Sequence, residues 1–83
     1  MNIEFGGDVV ACRLIHKPRY YKPNDIVIHD GQFKRVTTVQ SSPNIVNVNY
    51  TFSIMVLESA TGAEVSVRNF DGMVWRPTRW YKR

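Results

Sequence analysis

Three side chains of this 83-residue chain are of the Cys and His kind that build structural zinc sites: Cys12, His16 and His29. A closed structural zinc site takes four Cys or His ligands, one more than the chain offers. The four-residue step from Cys12 to His16 would converge on a helix but does not on a strand. Adding Asp30 does not complete a set, so no metal site and no cofactor is expected. Nucleophile chemistry is equally bare. Ser41, Ser42, Ser53, Ser59 and Ser66 have no elbow or triad context. Asp25, Asp30 and Asp71 fall at strand starts or turns, where Asp satisfies backbone N–H groups. Glu58 and Glu64 can face each other across a Thr61-Gly62 turn, which reads as a solvated pair rather than an acid–base couple. No glycine-rich loop precedes a helix to cradle phosphate. No catalytic residues are expected, and the chain reads as a non-enzyme.

Binding chemistry is what the residue types do offer. Residues 13–22, RLIHKPRYYK, carry Arg13, Lys17, Arg19 and Lys22 without an acid, and residues 75–83, WRPTRWYKR, carry Arg76, Arg79, Lys82 and Arg83 without one. These segments hold 8 of the 11 positive charges, leaving three basic and seven acidic side chains elsewhere. The charge is polarised along the sequence, and it is polarised in space if the segments meet. Aromatic residues are interleaved with it: Tyr20 and Tyr21 between Arg19 and Lys22, and Trp75, Trp80 and Tyr81 among the C-terminal cations. Bases stack on flat aromatic faces while Lys and Arg neutralise phosphates. The candidate contact residues are therefore Arg19, Tyr20, Tyr21, Lys22, Arg76, Arg79, Trp80 and Tyr81. Trp75 is expected in the core. The same composition suits a protein interface, where Trp, Tyr and Arg dominate hot spots.

The elements that must position these side chains are strands. Val46, Val48, Tyr50, Phe52, Ile54 and Val56 occupy consecutive even positions, with Asn47, Asn49, Thr51, Ser53 and Met55 between them. That alternation predicts one long strand with the even positions buried. Asp30-Gly31 between two β-branched runs is a two-residue hairpin signal. Thr61-Gly62 reads as another hairpin, Ser41-Ser42-Pro43-Asn44 as a loop, and Asp71-Gly72 as a turn or short 3₁₀ segment. Gly6-Gly7-Asp8 precedes the opening strand, and Pro18 and Pro23 mark an extended connection. Strands are expected near 9–15, 25–29, 33–40, 45–58, 64–68 and 74–80, with no amphipathic helix.

Eighty-three residues make one domain with one modest core. No apolar run approaches the roughly 20 residues that span a membrane, and no basic-then-apolar leader opens the sequence. The single cysteine, Cys12, excludes an internal disulfide framework, suits a reducing cytoplasm, and reads as a buried small hydrophobe. A cytoplasmic location follows as the expectation.

PNDIVIHDG at 23–31 and SIMVLESATGAEVSVRNFDGMVWRP at 53–77 resemble the small SH3-like β-barrels, the group that includes Tudor and KOW domains. The resemblance covers residues 23–77 and implies an apolar strand, a Gly turn, a short strand ending in Val, a single 3₁₀ turn and a last strand. The expected fold is all-β, a five- to six-stranded SH3-like barrel spanning residues 1–83, with residues 1–22 adding an N-terminal strand and an extended connection. The expected function is non-enzymatic binding. Nucleic acid, DNA or RNA, is the first reading. The alternative is a protein–protein interaction module or small inhibitor or regulator of a host complex, in the style of a phage- or virus-encoded protein. A symmetric homo-oligomer, pairing the 45–58 strand with its own copy, is a third arrangement.

Overall fold

The computed structural model describes residues 1–43 and 51–82. Seven strands run β1 (Asn2–Phe5), β2 (Asp8–Ile15), β3 (Ile26–His29), β4 (Gln32–Pro43), β5 (Thr51–Ser59), β6 (Glu64–Arg68) and β7 (Val74–Tyr81). They form one antiparallel sheet in the order β1-β2-β7-β3-β4-β5-β6. The described residues contain no helix, and the connection at 69–73 is irregular rather than 3₁₀. No helix is long and apolar enough to cross a membrane among these residues.

The strand count exceeds the expected five or six because β1 is separate. Gly6 (φ 59°) and Gly7 (φ 87°) form a two-residue turn between Phe5 and Asp8, and successive positive φ values match the right-handed twist of a hairpin. Asp30 (φ 53°) and Gly31 (φ 74°) do the same between His29 and Gln32, as expected of an Asp-Gly pair. Thr61-Gly62 also lies in a hairpin connection, which sets Glu58 directly opposite Glu64. Two expectations need correction. Ser41, Ser42 and Pro43 are not a loop but the end of β4, paired with Ser53, Phe52 and Thr51. Pro43 is tolerated there because it sits at the strand terminus, outside the span paired with β3. The even-position face is not the buried one at the described end of β5: Met55 and Leu57 are fully buried while Ile54 and Val56 are half-buried. The reason is register, since Leu57 stands opposite Val36, whose face is the core. Ile54–Glu58 is flanked by β4 and β6. Val46, Val48 and Tyr50 lie outside the described residues.

Two apolar clusters hold the sheet. Ile3, Phe5, Val10, Cys12, Ile26 and Trp75 form one, with Phe33 and Trp80 packed on it. Val27, Val36, Met55, Leu57 and Val74 form the other, with Tyr21, Val39, Val67 and Phe70. Neighbouring residues on a strand point to opposite faces. Ile26–Val27 and Val74–Trp75 therefore place the clusters on opposite sides of the sheet. A β-bulge in β4 serves the second cluster: the register shift between Val36 and Thr38 lets Val36 and Val39, three apart, both reach it.

A second bulge shapes β7. Cys12 pairs with Pro77 but Ala11 with Arg79, so Thr78 is the extra residue, and its Oγ1 donates to the Ala11 carbonyl at 3.1 Å. Beyond the bulge the parity of β7 inverts. Trp75 and Trp80, five apart, both meet the first cluster, whereas Arg76, Arg79 and Tyr81 share the face of Arg13, Ala11 and Val9. Cys12 is buried as expected, its thiol directed at the carbonyls of Val10 and Met1.

Among the described residues a single register pair, Ile26–Trp75, joins β3 to β7. The sheet is thus two half-sheets, β1-β2-β7 and β3-β4-β5-β6, hinged at that pair. The β1–β2 turn lies close to the end of β5: a Cβ on Gly6 would lie 3.5 Å from the Ala60 carbonyl oxygen.

Candidate nucleic-acid interface

Residues 22–25 build the junction between the half-sheets. Pro23 sets φ for the second position of a tight turn and Asn24, at φ 77°, takes the third, as a type II turn requires. The Asp25 N–H donates to the Lys22 carbonyl at 3.1 Å, and the Lys22 N–H donates back to Asp25 Oδ2 at 2.8 Å. Asp25, 1% exposed, is thereby fixed before Arg76 reaches it. Arg76 Nε donates to Asp25 Oδ1 at 3.1 Å, and Arg76 Nη2 donates to Oδ2 at 3.0 Å and to the Tyr20 carbonyl at 3.0 Å. The hydrogen bond to Asp25 raises the Arg76 pKa further above its already high ordinary value. The pair ties the 20–25 segment onto β7, 51 residues away.

This tie brings the two acid-free segments together. Arg13 of β2 stands opposite Arg76 of β7. The exposed Tyr20 ring lies 5.2 Å from Arg76 Cζ and 5.3 Å from Lys22 Nζ, both within cation–π range. Arg79 lies 5.8 Å from the ring of Tyr81, which is also exposed. Arg13, Lys17, Arg19, Lys22, Arg79 and Lys82 are all exposed.

The eight candidate residues do not form one surface. Tyr21 turns inward: its hydroxyl donates to the Gly72 carbonyl at 3.0 Å and accepts from the Gly72 N–H at 3.1 Å, and its ring meets Phe70 edge-on at 5.7 Å. Arg76 is committed to Asp25. Trp80 lies on the other face from Arg79, its Nε1 donating to Asp8 Oδ2 at 2.7 Å and its ring T-shaped to Phe5 at 6.1 Å. Arg19, Tyr20, Lys22, Arg79 and Tyr81 remain exposed, with Arg13 beside them.

Two cavities flank the free side of β7. One, about 350 Å³, is lined by Lys22, Asn24, Asp25, Pro77, Arg79 and Trp80 among others. The second, about 460 Å³, lies between the half-sheets and is lined by Phe5, Asp8, Asn24, Arg35, Glu58, Trp80 and Lys82, with Gly6 and Ala60. Asn24 and Trp80 line both, so the two are adjoining parts of one cleft. Arg35 braces the inner part, its Nη1 donating to Asn24 Oδ1 at 2.7 Å and its Nη2 to Glu58 Oε2 at 3.0 Å. Sequence reasoning overlooked Asp8, Asn24 and Arg35 as lining residues and read Glu58 only as one of a solvated pair with Glu64. The Pro-Asn-Asp turn was a visible local signal for Asn24, but the Arg35–Glu58 pairing depends on β4–β5 register and has none.

Of the three Cys and His side chains weighed as metal ligands, Cys12 is in the core, His16 is exposed, and His29 Nδ1 lies 3.0 Å from Lys34 Nζ. Set against protein-family models, curated proteins and solved structures, the chain matches none of them.

Proposed function

We propose that the chain is a binding module for nucleic acid and not an enzyme, with Arg13, Lys22, Arg79 and the exposed ring of Tyr20 as its backbone-contacting surface and Arg19 and Tyr81 at its margins. The observation that carries this reading is the pairing of Arg13 with Arg76 across β2 and β7. It sets the two acid-free segments side by side and makes the polarity of the sequence a polarity of the molecule. The one acid among them, Asp25, is spent on Arg76. The cations that remain exposed are available to phosphates, and Tyr20 offers a flat ring next to them.

An SH3-like reading of the fold goes with this proposal. Its support is that β3 to β7 run as an antiparallel meander whose last strand returns beside the first, the arrangement that closing a small barrel requires. The β1–β2 hairpin is then an addition outside β7.

The test is affinity for random single- and double-stranded oligonucleotides over a salt series. Counterion release requires log K to fall linearly with log salt. Absence of binding at low salt, or binding indifferent to salt, defeats the proposal. Recovery of a protein from nuclease-treated lysate together with no oligonucleotide binding would replace it with the protein-partner reading.

A further inference from the structure

We infer that the inner part of the cleft takes a single unstacked guanine from a single-stranded nucleic acid, with Glu58 reading its Watson–Crick edge. This rests on the nucleic-acid reading above and goes beyond it by naming the strandedness and the base.

The shape comes first. Among the described residues Ile26–Trp75 is the one strand-register pair between the half-sheets, and the slot beyond it is bounded by the β1–β2 turn and β7 on one side and by Asn24, β4 and β5 on the other. Its volume of about 460 Å³ falls within the range of small-ligand sites, about 300–1,000 Å³. A base can enter only if it is splayed out of a stack, which single strands allow at least cost.

Charge then separates the two parts of the cleft. The outer part carries Lys22, Arg76 and Arg79, with Asp25 already paired to Arg76. Phosphates are stabilised there. The inner part sets two carboxylates, Asp8 and Glu58, against two cations, Arg35 and Lys82, and so offers phosphate no net positive charge. What fits beside them is a neutral group rich in N–H donors with an apolar face. Phe5 and Trp80 supply the apolar wall, and Trp80 is held in orientation by its bond to Asp8 and its edge contact with Phe5.

Glu58 selects the base. Arg35 Nη2 donates to its Oε2 at 3.0 Å, which orients the carboxylate. An ionised carboxylate only accepts, and it has room for several donors. Guanine is the one standard base whose Watson–Crick edge presents two adjacent N–H donors, at N1 and N2. Adenine and cytosine present one amino group beside an acceptor, and thymine or uracil one N–H between two carbonyls.

Fluorescence anisotropy with labelled single-stranded nonamers, thymidine throughout except for the central position, tests this on the intact chain. Guanine at the centre is expected to bind about tenfold more tightly than thymine, adenine or cytosine, the scale of one bidentate contact. Inosine, which lacks the N2 amino group, should fall back toward the all-thymidine affinity; this comparison leaves the protein untouched. Glu58→Gln should abolish the guanine preference and keep the all-thymidine affinity. Equal affinity for every central base, preference for another base, or a guanine preference unchanged by both inosine and Glu58→Gln overturns the inference while leaving salt-dependent binding in place. Failure of every nonamer to bind at low salt overturns the nucleic-acid reading itself.

Discussion

Arg76 grips Asp25 with two parallel hydrogen bonds, Nε to Oδ1 at 3.1 Å and Nη2 to Oδ2 at 3.0 Å, in a place where the carboxylate has almost no contact with solvent. An arginine that composition alone would assign to a phosphate is instead the clamp that sets the 20–25 segment against β7. Arg76→Ala leaves the Asp25 carboxylate buried without its countercharge, which costs about 3–5 kcal/mol, whereas Asp25→Ala leaves Arg76 partly exposed and still bonded to the Tyr20 carbonyl and costs less. Both variants are expected to lower stability in urea unfolding, Arg76→Ala on the larger scale, and the double variant by clearly less than the sum. Two additive losses, or single losses below about 1 kcal/mol, would show that the pair is not a clamp.

The exposed cations should behave differently. Arg13→Ala, Lys22→Ala and Arg79→Ala are expected to leave the unfolding midpoint nearly unchanged. Each should flatten the dependence of log K on log salt by about 0.7 for a single strand. Oligonucleotide titrations at four salt concentrations measure the slope. Slopes that match the parent chain would remove these residues from the interface.

Tyr21 is a candidate that the fold uses for itself. Its hydroxyl both donates to and accepts from the Gly72 backbone. Tyr21→Phe leaves those groups short of a partner and should cost about 1–3 kcal/mol of stability, with an unchanged salt slope. Loss of binding at full stability would return Tyr21 to the contact surface.

Burial pushes the Cys12 thiol above its ordinary value of 9.0, against a smaller downward pull from the N-terminal ammonium. A raised folded-state pKa means that stability is intact below the unfolded value and is lost as pH rises through the folded one. The thiol should therefore resist alkylation in the native protein and react readily in urea. Between pH 8 and 10.5 the parent chain should lose stability faster than Cys12→Ala, whose difference isolates this group from the tyrosines and lysines. Parallel pH profiles would refute the assignment.

Legibility in the sequence varied with the range of the interaction. Asp30-Gly31 announced its hairpin because the turn depends on two residues that tolerate positive φ. Gly6-Gly7 carried the same kind of signal, but β1 before it is only four residues long, too short for alternation to declare itself. Ser41–Pro43 looked like a loop by composition, and pairing with Thr51–Ser53 overrode that preference.

The faces of β5 and β7 were decided at longer range. Alternation says that residues of a strand divide between two faces, not which face meets the core. Register against Val36 chose Met55 and Leu57. In β7 simple alternation would separate Trp75 from Trp80, and the extra residue at Thr78 unites them.

The sequence by itself determined an all-β chain, the positions of its tight turns, and the gathering of positive charge and aromatic rings into two segments, because propensity, turn chemistry and composition are local properties. The tertiary structure alone decided that these segments meet, that Arg76, Tyr21 and Trp80 are spent on Asp25, Gly72 and Asp8, and that a cleft lined by Arg35 and Glu58 opens beside them. Each of these depends on strand order, bulges and contacts across 50 or more residues, which are set by how the whole sheet packs and not by any residue's neighbours in the chain.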